Sequence, residues 1–334
     1  MKKIIISILS IFLLTGCSLL EQNTNKKDTD VYTTTYPVSY IINYLYGDNA
    51  NIYSIYPNDV NFKEYVLSDK KLNEFSKSSF FVFNSQDIDR NYAVSMLNKN
   101  DKLKLIDATF GMNYTYSIEE LWLNPYNYLM MAKNTKTSLN EYIDDPYINK
   151  HINEKYEELQ YELSKLDANY KEVLTNAKYK TIVTDNELFK FLEKYNIEVI
   201  CLQENIKTIT IKNGDNLSDI SKQYNVSISD ILTYNNKLDE TIKIGETIKI
   251  PIKTIDNAYV NKVKKLISEK EIKYIFSSNK ESNSTIMDLI DEYKLELITI
   301  NTMYSIDGNV TNTNENYLTI MNNNLDLLKK ELNK

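Results

Sequence analysis

Hydrophobic and polar positions along this chain follow two rhythms that take turns. VYTTTYPVSYIINYLYGD (31–48) opens as a strand, turns at a proline and continues as a helix from about Val38. NANIYSIYPND (49–59) reads as a second strand. LSDKKLNEFSKSSFFVFNS (67–85) predicts a helix capped by Ser68 and then an apolar strand at Phe80–Phe83. KLKLIDAT (102–109) is strand-like again. Strands alternating with helices predict a parallel sheet covered on both faces.

The longest helical stretch is residues 144–178. Asp145 suits its cap and Pro146 its first turn. Ile152, Tyr156, Leu159, Leu163, Leu166, Tyr170 and Val173 recur at steps of three and four, one apolar stripe. About thirty residues at ~1.5 Å each reach roughly 45 Å, enough to lie across two lobes. A second α/β pattern follows: strand TIVTD (181–185), helix 186–196, strand IEVICL (197–202), helix 258–271, strand IKYIFSS (272–278), helix STIMDLIDEYK, strand LELITIN (295–301) and a closing helix over 316–334.

Residues 207–252 interrupt that second pattern. Their end segments, ITIKNGDNL and IKIGETIKIP, alternate like two strands of one antiparallel ribbon. Leu217, Ile220 and Tyr224 line one helix between them. Ser227, with Asp230 three positions on, opens another as a capping box. Gly214 and Gly245 fall at the turns. The stretch resembles a LysM module along its whole length. That resemblance implies binding of N-acetylglucosamine glycans such as peptidoglycan. The groove would lie between the loop after the first strand, with Gly214, Asp215, Asn216 and Leu217, and the loop before the second, with Lys237, Leu238, Ile242 and Ile244.

The N-terminus changes the picture of location. MKKIIISILSIFLLTGCSLL carries Lys2 and Lys3, then an apolar run too short to span a bilayer comfortably. Leu14-Thr15-Gly16-Cys17 resembles a bacterial lipobox. This implies cleavage before Cys17, lipidation of that cysteine, and a chain anchored on the extracytoplasmic face of the membrane. Residues 17–30 then form a polar tether. The formal charge of −7 argues against nucleic acid as a partner.

Candidate chemistry is sparse. The single histidine, His151, sits beside the apolar stripe and reads as structural. Cys201, in an apolar run, reads as a buried strand residue. GxSxG, CxxC, HExxH and Gly-rich phosphate loops are all absent, and the paired acids Asp144-Asp145 and Glu157-Glu158 read as solvated faces. A familiar enzyme is not expected.

With the interruption set aside, the chain resembles the zinc/manganese solute-binding lipoproteins of bacterial ABC transporters. The order and spacing of TTTYPVSYIINYLYGD, KLNEFSKSSFFVFNS, ELWLNPYNYLMMAKNTKTSLNE, KLDANYKEVLTNAKYKTIVTD and YLTIMNNNLDLLKKEL carry this resemblance. It implies two α/β lobes, each with a mainly parallel sheet flanked by helices, joined by one long rigid helix. The expected organisation is a signal peptide (1–16), tether (17–30), N-terminal lobe (31–143), linking helix (144–178), C-terminal lobe (179–206 and 253–334) and small βααβ insert (207–252).

Members usually hold a divalent metal between the lobes with three His and a carboxylate, a good donor set. At those positions this chain has Lys63, Glu120, Asp185 and Asn301, with Trp122 marking the cleft wall. The expectation is therefore a cleft with no metal cofactor, in which Lys63 stands between Glu120 and Asp185, on a protein that binds glycan through LysM. The alternative is a working metal receptor. It would hold one Zn²⁺ or Mn²⁺ among oxygen ligands and deliver it to an ABC permease.

Overall fold

Four parallel strands form the sheet of the first lobe. A computed structural model describes residues 27–57, 60, 65–85, 88–235, 237, 239–252, 254–303 and 315–334. In chain order the lobe contains β1 (Asp30–Thr33), α1 (Tyr36–Tyr46), β2 (Asn51–Ser54), α2 (Asp69–Phe75), β3 (Phe80–Phe83), α3 (Asp89–Lys99) and β4 (Lys104–Asp107). The strand order is β2-β1-β3-β4. Every residue of β3 is buried, as its FFVF run requires between two layers of helices. Ser68 caps α2 by accepting from the Lys71 amide, as expected. Helix α1 starts at Tyr36, ahead of the expected Val38. Pro37 fits inside the first turn because an amide there has no intrahelical acceptor to lose.

Three helices lead out of this lobe: α4 (Glu120–Leu123), α5 (Pro125–Tyr142) and α6 (Pro146–Thr175). Helix α6 is the expected long connector. The Asp145 carboxylate accepts from the amides of Tyr147 and Ile148 at 2.8 and 3.2 Å, and Pro146 starts the first turn. Ile152, Leu159, Leu163, Leu166, Tyr170 and Leu174 are buried along it. The helix packs on α1 and α5 and on the chain's last helix. One continuous core therefore includes Val31, Ile41 and Ile106 of the first lobe and Ile182, Phe276 and Leu328 of the second.

The second lobe contains β5 (Thr181–Thr184), a 3-10 turn (Lys190–Tyr195), β6 (Glu198–Cys201), α9 (Asn257–Ser268), β9 (Tyr274–Ser277), α10 (Ser284–Tyr293), β10 (Glu296–Thr299) and α11 (Tyr317–Leu332). Its parallel sheet has the order β10-β9-β5-β6. The helix expected over 186–196 is only the 3-10 turn. The Asn186 side chain takes the Leu188 amide at 3.0 Å into a local turn, and Asn196 ends the segment with φ 61°. Glu331 of α11 is fully buried, although it is a carboxylate. It accepts from the amides of Lys273 and Tyr274 at 3.2 and 3.3 Å and pairs with Lys334 at 3.1 Å. It thereby ties α11 to the start of β9.

Between β6 and α9 the chain makes a separate βααβ unit: β7 (Asn205–Thr210), α7 (Leu217–Tyr224), α8 (Ile228–Tyr234) and β8 (Thr247–Ile252). The two strands pair antiparallel, from Asn205 opposite Ile252 to Thr210 opposite Thr247. The ribbon thus begins two residues before the expected 207. Ile211, Leu217, Ile220, Val226, Ile231, Ile248 and Ile250 form a core of the unit's own. The chain enters and leaves at one place, where the Asn205 amide donates to the Thr254 carbonyl at 3.0 Å.

Candidate functional site

The loops that leave the C-terminal ends of β4 and β10 meet between the lobes, and Trp122 is where they touch. Its side chain is completely buried. The indole Nε1 donates to the Thr302 carbonyl, 2.8 Å away in the other lobe. The Tyr317 hydroxyl donates to the Trp122 carbonyl at 2.6 Å. The Tyr317 ring stacks on Tyr128 with centroids 3.7 Å apart, and the Tyr128 hydroxyl donates to the Pro37 carbonyl at 2.7 Å. Burial holds both phenols well above the usual tyrosine range, so they stay neutral donors. The expected cleft-wall role of Trp122 is therefore corrected: a side chain with no accessible surface is an inter-lobe joint.

Glu120 opens α4 two residues before Trp122 and is partly exposed. Its Oε2 accepts from the amides of Thr115 and Tyr116 at 3.1 and 3.4 Å. The cation that reaches this area from the second lobe is Lys194, at the end of the 3-10 turn. Its Nζ donates to Asn124 Oδ1 at 3.1 Å. Burial lowers the pKa of Lys194, while the carboxylates of Asp167 and Glu120 act to raise it. Sequence reasoning missed Lys194, whose partner lies seventy residues earlier. Lys63, expected to neutralise the cleft, lies outside the described residues.

Asp185 follows β5. Its Oδ2 accepts from the hydroxyls of Ser277 at 2.5 Å and Ser282 at 3.1 Å. Its Oδ1 is buried and has no hydrogen-bond partner among the described residues. Burial raises the carboxyl pKa, against the two hydroxyls that lower it. Asn301 follows β10 and is exposed. Its Oδ1 accepts from the Met303 amide at 2.9 Å, and its backbone makes a reciprocal pair with the Asn324 side chain. Each of these side chains thus has at least one hydrogen-bond partner of its own. Among the described residues, no three His, Cys, Asp or Glu side chains converge as a metal site.

In the βααβ unit, the loops flanking the ribbon come together at its far end. The Ile211 amide donates to Glu246 O and the Gly245 amide to Ile211 O, both at 2.8 Å. Gly214 and Gly245 adopt φ 94° and 85°, open to glycine without strain. Asp215 accepts from the Lys212 amide at 2.6 Å, and Asn216 caps α7 through the Asp219 amide at 2.9 Å. Lys237 pairs with Glu246 at 2.6 Å. Ile244 is 71% exposed at the rim, whereas Ile242 packs on the unit's core. Leu217 is buried and supports the loop from beneath. Leu238 and Cys17, the expected lipidation residue, lie outside the described residues.

Neither other singled-out side chain joins a reactive group. His151 faces Asp48 across 3.2 Å at the surface. Burial pushes the Cys201 thiol up to about 11, which leaves it a poor nucleophile. No helix among the described residues is long and apolar enough to cross a membrane.

Comparison with known proteins places this geometry. The family model of ZnuA, the periplasmic component A of a zinc-uptake complex, matches residues 31–246, more than half of the chain. The zinc-binding lipoprotein AdcA of Streptococcus pneumoniae is 23% identical over 99% of this chain, which spans 61% of that relative's length. Among solved structures, the Zn(II)-bound ZnuA-like domain of that AdcA has a TM-score of 0.63 at 19% identity, over 92% of this chain and 99% of that one. The metal-dependent lipoprotein YcdH of Bacillus subtilis has a TM-score of 0.64 at 18% identity, over 91% and 99%. Both have the two-lobed fold found here. The expectation of a cleft without metal is overturned by these relatives, since the AdcA domain of this build is Zn(II)-bound.

Proposed function

The chain belongs to the family of ZnuA, the periplasmic component A of zinc-uptake complexes, and from that premise we propose that it is the solute-binding protein of a metal ABC transporter whose cargo is a divalent cation. The observation that carries this reading is the meeting of the loops after β4 and β10, where Trp122 bonds to Thr302. This meeting lies at the C-terminal ends of two parallel sheets, the edge at which open α/β sheets bind ligands, and so supports a ligand site there. Glu120, Asp185 and Asn301 are the oxygen donors proposed for the cargo. An oxygen-rich set suits Mn²⁺ and holds Zn²⁺ less tightly than imidazoles would. A permease is the proposed partner that takes the cation onward.

The test is metal binding by the purified chain, followed by calorimetry with Zn²⁺ and Mn²⁺. One divalent ion per chain is expected. Glu120→Gln and Asp185→Asn should each weaken binding at least tenfold. Absence of saturable binding of either ion would refute the reading.

Two finer parts of the proposal concern place. The lipobox at Cys17 would anchor the mature chain to the outer face of the cell membrane. The βααβ unit, with its two loops joined through Ile211 and Gly245, would act as a LysM module holding N-acetylglucosamine glycan of the wall. The support is its strand–helix–helix–strand order, its own core and the exposed loop end carrying Ile244. An anchor at one end and a weak glycan grip beside the second lobe would act together through effective concentration.

A further inference from the structure

A pocket of about 330 Å³ lies where the βααβ unit meets the second lobe. Asp185, after β5, and Asn279, after β9, contribute to it from the lobe. Tyr234 at the end of α8, with Ile206 and Pro251 side by side in the ribbon, contributes from the βααβ unit. Glu204 and Glu281 also line it. The pocket sits at the lobe end of the ribbon, the opposite end from the loops of the proposed glycan groove.

We propose that this pocket binds a small organic ammonium ion, an amine carried on an apolar or hydroxylated body. Three features of the lining point to that class. Asp185, Glu204 and Glu281 bring three carboxylates, and among the described residues no lysine or arginine lines the pocket. Such a pocket favours a cation over an anion or a neutral solute. Asp185 Oδ1 is buried without a partner. Asp185 itself lines the pocket, and a turn of its carboxyl that exposes this oxygen would let a ligand's N–H donor satisfy it. The third feature is apolar: Tyr234 is 41% and Ile206 38% exposed. Surface of this kind covers a carbon skeleton, and a phenol ring attracts an ammonium over its face. A bare metal ion fits less well. The carboxylates do not gather as a metal cluster, and the aromatic and apolar side supplies no ligand atoms. Because the βααβ unit and the lobe share the lining, a bound amine fixes the angle between them.

The test uses the full chain, with ethanolamine and glucosamine as probes and N-acetylglucosamine as the uncharged counterpart, followed by calorimetry and ligand-observed NMR. Both amines should bind saturably. The double variant Glu204→Gln, Glu281→Gln should weaken them about tenfold or more, and Tyr234→Ala should weaken glucosamine similarly. Any N-acetylglucosamine binding should not respond to these variants. The substituted side chains are partly or fully exposed, and unchanged melting curves check that folding is kept. Asp185, which lines this pocket and is also a proposed cargo donor, is left in place, so the response to Zn²⁺ should persist in the variants and a loss of amine binding alone distinguishes this proposal from the cargo reading. No saturable amine binding, or amine binding equal in wild type and double variant, would overturn the proposal.

Discussion

Replacing Trp122 by phenylalanine should loosen the joint between the lobes. The variant loses the indole N–H that donates to Thr302 O at 2.8 Å. It also loses part of a ring system with no accessible surface. Removing the donor to a carbonyl held in the joint costs about 1–3 kcal/mol. The smaller ring leaves a void worth roughly 1–2 kcal/mol. The sum is about 2–5 kcal/mol, and at about 2–4 °C per kcal/mol for a chain of this size the melting temperature should fall by roughly 4–20 °C. Trp122 is the only tryptophan in the chain, so wild-type fluorescence reports this one position. Its emission should be blue-shifted and resist acrylamide quenching in the native state, with both properties lost in urea. An exposed-type spectrum, ready quenching, or a melting temperature lowered by less than about 1 °C in the variant would refute a load at this joint.

Three further outcomes are expected. Cys17→Ala should leave the precursor unprocessed by the lipoprotein pathway, and a mature-sized lipidated variant in membrane fractions would contradict this. Replacing residues 205–252 by a short Gly/Ser linker should leave the two lobes folded, because Asn205 already touches Thr254, but should abolish pelleting with peptidoglycan; undiminished pelleting would place the glycan site elsewhere. Burial raises the Glu331 carboxyl above its ordinary 4.5, against Lys334 and two amides that lower it. The folded state therefore takes up that proton first, a contribution fully present below about 4.5 and lost as pH rises through the higher folded value. Urea titrations of wild type and Glu331→Gln should show the wild type gaining relative stability on acidification towards that value, and a constant difference would contradict the assignment.

Much of the scaffold was legible because local chemistry and global fold agree in it. Ser68 caps α2, Asp145-Pro146 starts α6, and five of the seven stripe residues on α6 are buried. Helices α3 and α5 were not read from the sequence. DRNYAVSMLNK and PYNYLMMAKNTKTSLNEY mix polar and apolar residues with little one-sided pattern, and packing of α5 against α6 supplies what periodicity did not announce. The site was less legible still. The family resemblance could flag Glu120 and Asp185, but not that Thr115 and Tyr116 amides hold one and serine hydroxyls the other. Nor does any local signal bring Lys194 to Asn124 from the other lobe. The expected absence of metal failed because a change of residue type at four positions says nothing of what relatives with this fold carry.

In the receptor reading proposed above, helix α6 would set how the molecule can signal. Its thirty residues are clamped along Leu159, Leu163 and Leu166 into a core shared by both halves of the molecule. Close-packed interiors do not bend smoothly; they hold or they repack. A wide jaw-like swing would have to drag those leucines past their neighbours, with Trp122 and Tyr317 latched at the mouth. The two halves therefore behave as one stiff frame. In that reading a partner distinguishing loaded from empty would read the loop after β4 and the start of the loop after β10, while the frame keeps both states nearly the same shape.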